Sequence, residues 1–247
     1  MSAITINSIN KSPSSAIIFI HGLGDSGNGW KFLADILQGE KSNNKFNHIK
    51  FIFPNAPTIP LTVQNANKIP SWFDIYEMGS INAKDDTKGY LNSISTINNH
   101  IDSLIKDDNV PSNRILLGGF SQGGSLTLSQ VILSKHKLAG FISCSGFVKI
   151  IPELLKYKST DNISKSIPNV DTEILQFHGI NDRMISFKYA QQSYDFFKNE
   201  FALPNLKFIP IDGMGHQVVN EQLIEIVKFI EKTLPPLDSD PNYKSNL

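Results

Sequence analysis

The chain has 247 residues, 40% of them apolar and 10% aromatic, with 23 basic side chains balanced by 23 acidic ones. That length and apolar content suffice for a large core without metal or disulfide support, and the zero formal charge argues against a nucleic-acid binder. The one cysteine, Cys144, excludes an internal disulfide and fits a reducing compartment.

The opening MSAITINSINKSPSS is polar and lacks the basic and apolar regions of a secretory signal. Ser2 stands where N-myristoylation needs glycine. No apolar run approaches the ~20 residues that span a bilayer. These features predict a cytoplasmic protein.

Ala16–His21 reads as a buried strand and Asn28–Gln38 as a short helix. Lys50–Phe53 is strand-like and opens a long stretch, rich in Pro and Asn, that runs to about Asp86. A helix follows over Thr87–Lys106, with Leu91, Ile94, Ile97, Ile101 and Leu104 on one face. Pro111 stops it, and Arg114–Gly119 is the next strand. The alternation continues with helix Ser125–Ser134, strand Leu138–Ser143, strand Glu173–His178, helix Ser186–Phe201 and strand Leu206–Ile211. Pro210 marks an edge strand or a strand end there. Val219, Leu223, Ile226 and Ile230 give the final helix, ended by Pro235 and Pro236. Continuous apolar strands between amphipathic helices predict a mostly parallel sheet with helices on both faces. No linker divides the chain, so one α/β domain is expected over residues 1–247, with a core at about 16–236 and a frayed polar tail at 237–247.

Gly119-Phe120-Ser121-Gln122-Gly123 matches G-x-S-x-G between a strand and a helix. A tight strand-to-helix turn lifts a serine hydroxyl clear of the sheet, and the helix N-terminus favours developing negative charge. The bare motif arises by chance in roughly one such chain in ten, so the flanking strand and helix carry the assignment. A serine hydroxyl needs a base, usually a histidine oriented by a carboxylate. Of His136, His178 and His216, the last lies in a loop between the final strand and helix, where the base belongs. The acid is sought among Asp161, Asp171, Asp182, Asp195 and Asp212. Asp182 follows the carboxyl end of a strand, where catalytic groups of open α/β sheets gather; Asp212 is its rival.

The glycine-rich turn His21-Gly22-Leu23-Gly24 follows the first buried strand. It is read as half of an oxyanion hole whose donors are the backbone N–H groups of Leu23 and Gln122. His21 is read as a structural hydrogen-bonding residue. The histidines show no paired spacing for a metal.

Together these residues resemble the acyl-protein thioesterases, in the phospholipase/carboxylesterase branch of the α/β-hydrolases. The resemblance runs from about Ile18 to Asp238 and is carried by FIHGLGDSGNGW, PNAPTIPLTVQNANKIPSWFDIY, VPSNRILLGGFSQGGSLTL, ILQFHGINDRMISF, GMGHQV and FIEKTLPPLD. It implies the α/β-hydrolase fold and cytosolic hydrolysis of palmitoyl thioesters on membrane-attached proteins, with lysophospholipase or short-ester activity alongside. It also implies a Ser121, Asp182, His216 triad and no cofactor. Its substrates would be S-acylated proteins or lipid esters, met in transient contact with a membrane surface. Two features depart from the family: no N-terminal cysteine is present, and Arg183-Met184-Ile185 replaces a Pro-Leu-Val run. The alternatives are a broad carboxylesterase or lysophospholipase, and a non-catalytic ligand receptor of the same fold.

The stretch from Pro54 to Asp74 is too apolar for disorder. Either part of it walls an acyl groove through Leu61 and Ile69, with Met184 and Ile185 opposite, or its large side chains pin the loop into the core, as is expected of Trp72.

Overall fold

Alternation within single strands explains the layering. In β2 (Ser15–Ile20), Ala16, Ile18 and Ile20 enter one buried cluster, while Ile17 and Phe19 enter another on the opposite face. A strand covered on both faces must be apolar at every position, and β2 is buried throughout. The computed structural model describes residues 2–77, 84–158 and 167–240. Beside β2 lie β3 (Ile49–Pro54) and β6 (Ile115–Phe120), followed outward by β7 (Gly140–Cys144), β8 (Ile174–Gly179) and β9 (Leu206–Ile211). These pairings are all parallel. β1 (Ala3–Ile6) closes the far edge antiparallel to β3, giving the order β1-β3-β2-β6-β7-β8-β9.

The chain leaves β2 toward β3 and later returns on the other side to enter β6. That reversal makes the β2–β6 boundary a topological switch point, where loops leaving the carboxyl ends of the strands diverge and open a crevice. The register Ile20↔Gly119 brings the turn after β2 beside Ser121.

Among the described residues the α-helices are α1 (Gly27–Trp30), α2 (Phe32–Gln38), α3 (Thr87–Lys106), α4 (Gln122–Leu133), α5 (Ile151–Leu155), α6 (Phe187–Phe201) and α7 (Asn220–Thr233). The expected helix over 28–38 is thus two pieces joined at Lys31. α3 starts where the Asp86 carboxylate caps the Gly89 amide at 2.9 Å. Its buried face runs through Tyr90, Ile94, Ile97, Ile101 and Leu104. Each of these aliphatic side chains contributes about 1.5–3 kcal/mol by leaving water. Leu91, expected on that face, is 37% exposed; Tyr90 takes the position because its hydroxyl donates to Ser125 O at 2.6 Å. α4 is buried almost all round, so its polar side chains are paired inside, Thr127 Oγ1 with Gly123 O and Gln130 Nε2 with Asn98 Oδ1.

Several elements carry no clear sequence signal. β1 and α5 are four and five residues long. The stretch after β3 forms a hairpin of β4 (Thr58–Leu61) and β5 (Asn67–Pro70), whose prolines fit a two-stranded ribbon with open edges. The tail is ordered at its start: buried Asp240 accepts from Ser14 Oγ at 2.8 Å and from Leu237 N at 2.6 Å. Residues 241–247 lie outside the described residues, as does Asp161.

Candidate active site

Ser121 stands between β6 and α4 with φ 55° and ψ −115°, a backbone conformation that costs a side-chain-bearing residue about 1–3 kcal/mol. The turn persists because its surroundings leave no alternative. A Cβ on Gly123 would lie 2.1 Å from Ile20 O, and one on Gly119 would lie 2.4 Å from the Gly123 carbonyl. Strand and helix therefore close to a distance that only glycine permits at both flanks. The Ser121 amide donates to Cys144 O at 2.8 Å, tying the turn to β7.

His216 reaches this serine from the loop between β9 and α7. Its Nε2 lies 3.0 Å from Ser121 Oγ, and its Nδ1 lies 2.7 Å from Asp182 Oδ2. Asp182 Oδ1 accepts the amides of Met184 at 2.9 Å and Ile185 at 2.8 Å, so the carboxylate is held at both oxygens. Burial works against its charge, but hydrogen bonds from His178, His216 and the Ile185 amide outweigh burial and hold it well below the usual carboxylate range. The Phe120 ring packs beside the imidazole with centroids 4.9 Å apart, limiting its rotation.

The rejected candidates are engaged elsewhere. His136 Nε2 pairs with Asp102 at 2.7 Å. Asp171 pairs with Lys137, Asp195 accepts from Gln191 Nε2, and Asp212 accepts the Gly213 amide. His178, set aside as a base, nevertheless lies 3.3 Å from Asp182.

The turn after β2 comes to the other side of Ser121. Leu23 and Gln122 both line the same cavity as the serine, and neither amide donates to a protein acceptor among the described residues. His21 shapes the turn from beneath. Its Nε2 accepts the Ala56 amide at 3.0 Å, so Nδ1 carries the proton donated to Gly22 O at 2.6 Å. Burial lowers the basicity of this ring, against opposing contributions from the Gly22 carbonyl and Asp25.

From Ser121 opens a cavity of about 430 Å³, walled mainly by apolar groups. Ile69, Met184 and Ile185 line it as expected, joined by Phe73, Ile75, Phe147 and Tyr189, which the sequence reading did not single out. Leu61 is a correction: it is 0% exposed and absent from the wall, because β4 turns this side chain inward. Trp72 is core, its indole N–H donating to His21 O at 2.9 Å.

The Gln122 side chain was also missed. Its Oε1 accepts the Trp72 amide at 3.0 Å, and its Nε2 donates to Phe73 O at 3.0 Å and Ser71 Oγ at 3.1 Å. The residue after the serine thus clasps the chain that supplies Phe73 to the cavity. The sequence carries no signal for it: that this amide is buried, and so must find partners, is evident only in the folded chain.

An alcohol bonded to an imidazole, and that imidazole to a carboxylate, at the switch point of such a sheet defines an enzyme of the α/β-hydrolase fold. A family model for phospholipases and carboxylesterases matches residues 1–234. Acyl-protein thioesterase 1 of Candida albicans is 38% identical over 232 residues, covering 94% of this chain and 97% of that protein. The Saccharomyces cerevisiae protein of the same name is 35% identical, covering 88% and 92%. Among solved structures, Arabidopsis thaliana SOBER1 superposes with a TM-score of 0.76 at 29% identity, covering 89% of this chain and 99% of that one. Zea mays acyl-protein thioesterase 2 shares the fold at a TM-score of 0.79 and 24% identity, covering 94% and 99%. The chain belongs to the phospholipase/carboxylesterase family.

Proposed function

We propose that this chain hydrolyses S-acyl thioesters, palmitoyl thioesters on protein cysteines foremost, through an acyl-enzyme on Ser121. The observation that carries the reading is the Ser121–His216–Asp182 hydrogen-bond chain opening onto a mainly apolar cavity. His216 Nε2 takes the Ser121 proton as Oγ attacks the thioester carbonyl. The Leu23 and Gln122 amides receive the oxyanion, and the tetrahedral intermediate collapses with loss of a cysteine thiolate. The imidazolium passes its proton to the departing thiolate; water, deprotonated by the regenerated His216, then attacks the acyl-serine, and that proton returns to Ser121 Oγ as the fatty acid leaves. Asp182 fixes the imidazole with its proton on Nδ1 and stabilises the imidazolium. A thiolate leaves readily, so acylation needs little acid assistance.

The apolar wall supports an acyl chain as the recognised group; each buried methylene contributes about 0.8 kcal/mol. Identities of 35–38% to named thioesterases over nearly the whole chain support a protein-bound thioester as the substrate. We place the reaction in the cytoplasm in a single domain, in keeping with one buried cysteine and two cores flanking one sheet. No described helix is long and apolar enough to cross a membrane.

The test is Ser121→Ala. Turnover of a palmitoyl-cysteine peptide and labelling by a fluorophosphonate should both vanish while thermal unfolding stays cooperative. In the wild-type protein, mass spectrometry during turnover should find palmitate on Ser121. Labelling that survives the substitution overturns the assignment.

A further inference from the structure

Asp182 is approached by two histidines. His178 closes β8 and is wholly buried; its Nε2 lies 2.9 Å from Ile185 O and 3.3 Å from Asp182 Oδ2. A carbonyl oxygen offers only lone pairs, so Nε2 carries the hydrogen. Asp182 Oδ2 is the same oxygen that accepts His216 Nδ1–H at 2.7 Å. The other ring nitrogen, His178 Nδ1, is buried without a hydrogen-bond partner among the described residues. Such an orphan costs on the order of 1–3 kcal/mol, which a phenylalanine or leucine filling the same space avoids. Packing alone therefore does not account for an imidazole here; the hydrogen on Nε2 does.

We infer that His178 is a positioning residue for the acid and base: its Nε2–H, shared between Ile185 O and Asp182 Oδ2, fixes the carboxylate and takes up part of the acceptor strength that His216 would otherwise receive. The inference rests on the roles given above to Asp182 and His216. The same bond ties chemistry to substrate wall, because Ile185 donates its amide to Asp182 Oδ1, accepts from His178, and lines the cavity. The titratable groups facing His178 are Asp182 from the loop after β8 and, through it, His216 from the loop after β9. α6 presents the apolar ring of Phe187, at 6.4 Å between centroids.

Losing the hydrogen on Nε2 leaves Asp182 a stronger acceptor for His216. The imidazolium becomes more stable and the acid limb of kcat/KM moves to higher pH. Three variants test this. His178→Leu removes the donor, His178→Asn sets a donor at the δ position, and His178→Gln restores one at the ε position. We expect kcat to fall between about 10- and 100-fold in the Leu and Asn variants. Their acid limb should rise by roughly half to one pH unit, and the Gln variant should recover both. A limb that stays put or moves down while kcat falls, or Asn and Gln variants that behave alike, overturns the inference in favour of packing. If the Leu variant does not fold, the Asn and Gln pair decides. Nitrogen-15 spectra of histidine-labelled wild-type protein need no variant: a proton on His178 Nε2 is expected, and a proton on Nδ1 instead overturns the proposal. Fluorophosphonate labelling of Ser121 in each variant keeps the two questions apart, since intact labelling with a static limb removes only the role of His178.

Discussion

The two sides of the cavity are built on different physics. On one side, the loop after β8 carries the acid itself, and its wall residues are held by hydrogen bonds that converge on Asp182. Met184 at its rim is 54% exposed. On the other side, the hairpin and the segment Ser71–Phe73 supply no reacting group. They are fixed by a buried clasp from Gln122, by the Trp72 indole bonded to His21 O, and by Ser93 Oγ donating to Trp72 O. Shape on one side is a by-product of positioning the chemistry; on the other it is secured by core packing. Substitutions should therefore read out differently: rate on the first side, stability at the buried positions of the second.

The sharpest separation comes from Asp182→Asn. It keeps the side-chain volume but removes the charge that fixes the His216 tautomer, so kcat on an activated ester should fall about 10⁴-fold. Calorimetry should meanwhile show a folded protein. A loss below tenfold would erase the distinction drawn here.

Next come two substitutions in one hairpin. Leu61→Asp places a carboxylate where the side chain is fully buried, and should lower stability by several kcal/mol with no preference among acyl lengths. Ile69→Asp polarises the cavity wall instead. It should reduce the palmitoyl-to-butyryl ratio of kcat/KM by about tenfold or more, leaving the urea midpoint nearly unchanged. Matching effects from both would mean that the hairpin does not divide into core and wall.

Gln122→Ala retains the backbone amide assigned to the oxyanion but orphans the buried Trp72 N–H. Stability should drop by about 2–3 kcal/mol in urea titration, with short-ester kcat affected far less than by Asp182→Asn. Equal loss of rate and stability would merge the two sides.

The smallest effect separates the sides by pH. His21, beneath the hairpin side, has a lowered pKa in the folded chain, so below about 6.5 the unfolded state binds more protons and stability falls as pH drops. Asp182, on the side of the loop after β8, has a depressed pKa. Its contribution is complete above about pH 4 and is lost only as pH falls through its folded value. Amide exchange should therefore rise at Ala56 between pH 6.5 and 5 while Met184 and Ile185 stay protected. His21→Gln should abolish the rise.

The sequence made legible what is local and periodic. Strands buried on both faces and the 4-3-4-3 face of α3 show in the residue pattern, although the choice between Leu91 and Tyr90 needed the Ser125 carbonyl 35 positions away. Ser121, Asp182 and His216 could be singled out because each follows a strand, and the sheet order then gathers those loops at one edge. The inward turn of Leu61, the clasp of Gln122 and the approach of His178 to Asp182 were not legible. Each depends on partners that only the folded chain brings near, and a glutamine or histidine in a sequence does not announce which. β1 and α5 were too short for periodicity to register.

The lone sulfhydryl has a practical consequence. Cys144 lies fully buried under the serine turn, where burial pushes the thiol up and out of reach of alkylating dyes. The folded chain should therefore take up no maleimide at this position. A single Met184→Cys exchange at the exposed rim would give a uniquely addressable point for a fluorophore that watches a fatty chain enter and leave in real time.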